Sequence, residues 1–241
     1  MKAENSIYKT VSGVNLPIRI YYPEKPNGNC VVNIHGGGWR AIKSNEEWNG
    51  GWMDYQAQYY AERGYIGIVF SYRSIDISDD TEITDLYTDC RDAMKYIKSN
   101  VKYDKLVITG DSAGGHLASL LSFDPDIHAE LAVLCNPVLD ITAEPWTMLS
   151  KNPEVLREYS PYFNIKPTNT KYLLMHGEAD AVVSCDITKS FFEMLSEKGI
   201  YAELVTLPNV NHAFILKNYR STDEQLQEYM NKIDSFIKRN I

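Results

Sequence analysis

The stretch LVITGDSAGGHLASLL, residues 106–121, decides the fold of this 241-residue chain. It opens with four apolar or β-branched residues, as expected of a buried strand. The pattern G-x-S-x-G follows at 110–114, and residues 116–121 then read as a helix. A serine placed in this way between a strand and a helix is predicted to lie on a tight, strained turn. The turn would hold Ser112 at the amino end of the helix, where amides and the helix dipole favour developing negative charge.

Apolar runs on either side of this stretch alternate with helical patterns. The strand candidates are 18–22, 30–35, 66–71, 106–110, 131–136, 172–176 and 202–207, and the helix candidates are 84–100, 187–198 and 222–238. Gly199 is a plausible stop for the second of these helices. Strands that alternate with helices favour an α/β fold with a mostly parallel sheet covered on both faces. Residues 8–22 are expected to form antiparallel strands at one edge.

The length and the 44% hydrophobic content suit one core, so a single domain over residues 1–241 is expected. Residues 141–170 depart from the alternation. They carry four prolines and four bulky aromatic residues, Trp146, Tyr159, Tyr162 and Phe163. This composition fits neither a strand nor one long helix, so we expect a small cap or loop excursion with short helices.

Charge and composition exclude several classes of function. The formal net charge of -8 opposes binding to nucleic acid, and no basic run suggests an anionic membrane. The first residues, MKAENSIYKTVSG, contain no apolar signal segment, so a cytoplasmic protein is expected. No metal-ligand spacing, P-loop or dinucleotide fingerprint occurs, so no cofactor is predicted. The four cysteines have no CxxC spacing and are expected to be reduced and structural.

A second glycine-rich segment, His35-Gly36-Gly37-Gly38-Trp39, begins at the last residue of the strand candidate 30–35. Glycines at this place let the backbone approach a ligand and turn its N–H groups inward. Acyl transfer needs such donors for the oxyanion of its tetrahedral intermediate. Because the segment precedes G-x-S-x-G in the same chain, we interpret it as part of an oxyanion hole.

A serine nucleophile needs a base, and the base needs an acid that orients it. His212 lies after the last strand candidate and Asp180 follows the strand candidate 172–176. The order Ser, Asp, His and the position at carboxyl ends of strands both suit this chemistry. Asp140 and Glu178 stay open as alternative acids. Among the other residues, His35 is expected to support its own loop, and His116 to pack or bond locally.

These motifs resemble those of the hormone-sensitive-lipase-like esterases, and also of the smaller acetylxylan and feruloyl esterase-like α/β-hydrolases and the kynurenine formamidases. The resemblance spans about residues 31–214. It implies the α/β-hydrolase fold, with Ser112 as nucleophile, His212 as base and Asp180 as its orienting acid. The implied oxyanion hole consists of the N–H groups of Gly37, Gly38 and Ala113.

Two departures place the chain between these groups. The part before the first core strand is too short for a large helical cap, and His116 stands where hormone-sensitive-lipase-like members usually have Asn. The expected function is a carboxylesterase acting on short acyl esters, such as acetyl esters of carbohydrates. An amidase, formamidase or small peptidase would use the same residues. A non-catalytic binding protein on this scaffold is a further alternative, and the sequence does not indicate an oligomeric state.

Overall fold

The computed structural model describes residues 1–40, 54–75 and 80–241. Eight strands form one sheet in the order β1-β2-β4-β3-β5-β6-β7-β8. The strands are β1 (Lys2–Val11), β2 (Val14–Tyr22), β3 (Asn29–Ile34), β4 (Ile66–Phe70), β5 (Lys105–Asp111), β6 (Leu131–Cys135), β7 (Lys171–Gly177) and β8 (Ala202–Leu207). The helices of the described residues are α1 (Tyr55–Ala61), α2 (Ile83–Asn100), α3 (Ala113–Ser122), α4 (Pro153–Glu158), α5 (Cys185–Glu197) and α6 (Asp223–Asn240).

The sheet is parallel except at one edge. β1 pairs with β2 and β2 pairs with β4 in antiparallel register, while all pairs from β4 to β8 are parallel. Both the mostly parallel sheet and the antiparallel edge are thereby confirmed. Because the carboxyl ends of parallel strands meet at one edge, the loops after β3, β5, β7 and β8 are neighbours.

Neighbouring residues of the central strands face opposite layers. Val31 belongs to the core layer that contains helices α1 and α6, whereas Val32 belongs to the layer that contains α2, α3 and α5. Residues of β3, β4 and β6 are almost all fully buried, as expected of strands covered by helices on both sides. This packing leaves the strand ends and the loops that follow them to form a functional site.

The predicted elements match the structure to within a few residues at each end, except that β1 and β2 begin earlier than expected. Helix α2 buries one face, which consists of Leu86, Cys90, Ala93, Met94 and Ile97. Gly199 follows α5 with φ of 71°, as a helix stop requires. The seven-residue helix α1 was not predicted, because two turns are too short for a clear helical period.

Residues 141–170 form the expected excursion with short helices. It consists of a 3-10 turn at Trp146–Leu149, helix α4 and a second 3-10 turn at Pro161–Phe163. Leu149 and Leu156 anchor it in the core layer that contains α3. All four cysteines of the chain are free and buried. Of the helices that the structure describes, none is long and apolar enough to cross a membrane.

Candidate active site

The turn between β5 and α3 has the predicted strain. Ser112 has φ of 52° and ψ of -119°, a conformation that non-glycine residues rarely adopt. Two glycines make room for the turn. A Cβ at Gly110 would overlap the carbonyl of Gly114, and one at Gly114 would overlap that of Ile34. Only glycine at these two positions lets α3 come this close to β5 and β3.

Ser112, His212 and Asp180 come together from three loops at the carboxyl edge of the sheet. The Ser112 Oγ lies 2.9 Å from the Nε2 of His212. On the other side of the ring, Nδ1 lies 2.6 Å from Asp180 Oδ2. Because an ionised carboxylate only accepts hydrogen bonds, Nδ1 carries the proton and Nε2 is free to accept from the serine. The three side chains therefore form one directed hydrogen-bonded chain.

The environment of Asp180 keeps its buried carboxylate ionised. Burial would raise the pKa of this carboxyl, but hydrogen bonds from His176 and His212 lower it. The amides of Val182 and Val183 donate to Oδ1 at 2.8 and 2.9 Å. Together these donors hold the pKa of Asp180 well below its usual range. Because the Asp180 carboxylate stays ionised, it can accept a hydrogen bond from the imidazole of His212 and orient that ring.

His176 is a partner of this site that the sequence reasoning missed. Its Nε2–H is shared between the carbonyl of Val183, at 3.0 Å, and Asp180 Oδ2, at 3.2 Å. Its Nδ1 accepts from the Thr188 hydroxyl at 2.8 Å. A histidine four residues before the candidate acid, at the end of a strand, was the available signal.

Backbone contacts hold the loops after β7 and β8 against each other. The amide of Glu178 donates to Leu207, and that of Ala179 donates to Val210. Gly177 packs so closely on the carbonyl of Val210 that a Cβ would overlap it. This close approach fixes the distance between the loop of the acid and the loop of the histidine.

The segment 35–39, which we call the glycine loop, follows β3 beside the turn of Ser112. Gly37, Gly38 and Trp39 have φ of 96°, 67° and 58°. A Cβ at Gly38 would meet nothing within 4 Å, so this residue borders open space. His35 supports the loop as expected, because its ring bonds the Gly36 carbonyl at 2.7 Å. Such a run of left-handed residues turns successive amides to one side.

The alternative acids lie elsewhere. Asp140 bonds the amide and hydroxyl of Thr142 at 2.8 and 2.7 Å, and Glu178 is exposed. Asp111, which precedes the serine, is buried against Gly36, and burial raises the pKa of Asp111 to about 6. Within residues 1–40, 54–75 and 80–241, no group of three potential metal ligands occurs.

The aromatic residues of the excursion and of the glycine loop have different surroundings. Trp39 is fully buried and packs edge-on against His116 and Trp146. Tyr159 packs edge-on against Tyr87. Phe163 is 37% exposed, and the Arg157 guanidinium lies 4.1 Å from its ring centre. The position of Phe163 therefore does not bear on the shape of a substrate pocket.

Several known proteins resemble this chain in sequence or in fold. The BD-FAE family profile matches residues 18–144, just over half of the chain. An acetylxylan esterase of Xylanibacter ruminicola is 23% identical over 237 residues, which cover 89% of this chain and 47% of that protein. A probable carboxylic ester hydrolase, LipM, of Mycobacterium tuberculosis is 28% identical over 193 residues, covering 65% of this chain and 43% of the relative. The chain thus spans less than half the length of these curated relatives.

A solved structure matches over nearly the whole chain. It is esterase 2 of Thermogutta terrifontis in its propionate-bound form, with a TM-score of 0.81 and 27% identity, covering 98% of this chain and 94% of the other. The butyrate-bound form of the same esterase superposes with a TM-score of 0.80 at 26% identity, with the same coverage. From the family match and the shared fold, we conclude that the chain belongs to the BD-FAE family and has the α/β-hydrolase fold.

Proposed function

We propose that this protein hydrolyses short-chain carboxylic esters through an acyl-enzyme on Ser112. The observation that carries the proposal is the unbroken hydrogen-bonded chain from Ser112 through His212 to Asp180. Its direction is the one that acyl transfer needs, with a neutral imidazole nitrogen facing the serine hydroxyl and an ionised carboxylate behind it.

In the first half of the reaction, Ser112 Oγ attacks the ester carbonyl carbon while His212 Nε2 takes the hydroxyl proton. The carbonyl oxygen becomes an oxyanion, for which the N–H groups of Gly37, Gly38 and Ala113 are the proposed donors. The tetrahedral intermediate collapses, the C–O bond to the alcohol breaks, and His212 gives its proton to the leaving alkoxide. The acyl group stays on Ser112 as an ester.

In the second half, His212 takes a proton from a water molecule whose oxygen attacks the acyl-enzyme. A second tetrahedral intermediate forms on the same donors. It collapses to release the carboxylic acid, and Ser112 recovers its proton from His212. Asp180 stays ionised throughout and stabilises the imidazolium that forms in both halves.

The proposed preference for short acyl groups, acetyl to butyryl, rests on two supports. The similar Thermogutta esterase has been solved with propionate and with butyrate, and a relative is named acetylxylan esterase. In addition, the half-buried Trp146 packs edge-on against Trp39, the last residue of the glycine loop. A closed pocket rejects longer chains by overpacking, whereas an open apolar groove gains about 0.8 kcal/mol for each added methylene.

The decisive measurement is kcat/KM for p-nitrophenyl esters from two to twelve carbons, beside formylkynurenine and aminoacyl anilides. We expect the maximum at two to four carbons. A rise that continues past eight carbons would overturn the short-acyl preference, and faster cleavage of an amide would overturn ester specificity. Ser112→Ala should remove hydrolysis of every substrate in the panel while the circular dichroism spectrum stays unchanged. Retention of most activity in this variant would remove Ser112 from the mechanism.

A further inference from the structure

The glycine loop cannot hold its own shape, because three of its five residues are glycine. Glycine moves freely between left-handed and right-handed conformations, so a run of glycines is costly to order. The positions of the Gly37 and Gly38 amides must therefore be fixed from the two ends of the loop.

The first end is fixed by His35. Its ring stacks on Tyr72 with ring centres 4.4 Å apart, and the Tyr72 hydroxyl donates to the His35 carbonyl at 2.8 Å. These contacts place the start of the loop on the core next to β4. Gly36 is held in addition by its contact with Asp111, but these contacts do not fix Gly37, Gly38 or the second end.

The second end is Trp39, which is itself in a strained conformation with φ of 58°. A left-handed residue other than glycine costs on the order of 1–3 kcal/mol and persists only when its surroundings enforce it. Two hydrogen bonds do so. The Trp39 carbonyl accepts from the amide of Ile75 at 3.2 Å, and the indole Nε1–H donates to His116 Nδ1 at 3.2 Å.

The protonation of His116 follows from these partners. An indole nitrogen can only donate, so Nδ1 of His116 must be the unprotonated nitrogen. The proton is then on Nε2, which donates to the Tyr159 carbonyl at 2.7 Å. His116 and Trp39 are both fully buried, so neither bond can be replaced by bulk water.

We propose that His116 is a positioning residue that holds the oxyanion donors in place by anchoring Trp39. The proposal rests on the proposed ester hydrolysis. Ser112 caps the amino end of α3, and His116 lies one helical turn further along that helix. The bond from His116 to Trp39 therefore ties the second end of the glycine loop to the helix that begins next to the nucleophile.

Two substitutions separate the two bonds of His116. In His116→Asn, the amide oxygen can take the place of Nδ1 and accept from Trp39, but the bond to Tyr159 is lost. In His116→Gln, the amide nitrogen can take the place of Nε2 and donate to Tyr159, but the acceptor for Trp39 is lost.

We expect His116→Gln to lower kcat for p-nitrophenyl acetate by about tenfold, with KM unchanged within about twofold. Complete removal of an oxyanion donor costs about 10²–10³-fold.

His116→Asn should keep kcat within about threefold of the parent protein. A role in packing alone predicts the opposite order, because the smaller Asn leaves the larger cavity. Trp39→Phe removes the donor itself and should reproduce the kcat of His116→Gln, and the double variant should be no worse than either. Equal kcat for the Gln and Asn variants, or additive losses in the double variant, would overturn the proposal.

A measurement that needs no activity completes the test. The indole N–H signals of the four tryptophans can be resolved by ¹⁵N NMR, and Trp39→Phe assigns the relevant one. Its hydrogen exchange should accelerate in His116→Gln and not in His116→Asn. Unchanged exchange in both variants would overturn the anchor. If the parent protein cleaved no ester, the proposed function and the effect on kcat would both be wrong, whereas exchange would still decide the anchor.

Discussion

His212 and His116 both contact Ser112, the first through its ring and the second through its backbone amide, but the surroundings of the two rings differ. His212 is backed by the ionised carboxylate of Asp180 and faces a hydroxyl. Among the residues that the structure describes, the ring of His116 hydrogen-bonds neutral partners, the indole of Trp39 and the carbonyl of Tyr159. Burial lowers the pKa of His116 to about 4, and the bond to the carbonyl opposes this only in part.

The difference shows that the partner of a buried histidine determines what the ring can do. A carboxylate behind the ring stabilises the imidazolium, so the ring can take up a proton during a reaction. Without such a group, desolvation keeps the ring neutral, and it can serve as a fixed donor and acceptor. We therefore expect proton transfer at His212 and a purely geometric role at His116.

The test with the largest expected effect makes the same substitution at both histidines, His212 and His116. His212→Asn should lower kcat by about 10⁶-fold, because loss of the base disables the nucleophile as well. His116→Asn should change kcat by less than about threefold. Hydrolysis of p-nitrophenyl acetate by the two purified variants gives both values. Losses of similar size would remove the distinction between the two histidines.

The second test concerns the carboxylate behind His212. Asp180→Asn should lower kcat by about 10⁴-fold, because the amide no longer holds the productive tautomer. Asp140→Asn is the matched control and should have little effect, since Asp140 bonds Thr142 rather than a histidine. If Asp140→Asn is the more damaging change, the acid has been assigned wrongly.

The third test uses the pH dependence of stability. An unfolded histidine binds a proton near pH 6.5, whereas folded His116 resists protonation down to about pH 4, so acid destabilises the fold across this interval. For Asp111 the sign is reversed. Burial raises the pKa of Asp111 to about 6, so the folded carboxyl is protonated before the unfolded one, and acid stabilises the fold between about pH 6 and 4.

Each group is expected to contribute about 3 kcal/mol over this interval, with opposite signs. His116→Asn should therefore make the melting temperature fall less between pH 6.5 and 4, and Asp111→Asn should make it fall more. Shifts of about 5–10 °C relative to the parent protein are expected. Melting curves recorded by circular dichroism measure them. Parallel curves for the parent and both variants would show that neither group titrates in this range.

The sequence predicted most of the scaffold because strands and helices here follow local patterns. The run 106–109, the glycines at 110 and 114 and the face of α2 each carry their structural reason within a few residues. In residues 141–170 the four prolines likewise exclude a long helix, because proline is tolerated in the first turn of a helix but not in its interior. Helix α1 escaped prediction because it is short and is stabilised by packing on β4 rather than by its own pattern.

By itself, the sequence determined the fold, the strained serine and the order of the candidate site residues, since these depend on spacing along the chain. Only the tertiary structure decided which acid faces His212, that His176 shares Asp180, and that His116 bonds Trp39. These pairs join residues that are distant in sequence or have no characteristic motif. Whether they meet depends on strand order and on close approaches such as that of Gly177 to Val210. The free energy of such contacts comes from burial and geometry, which spacing along a chain does not encode.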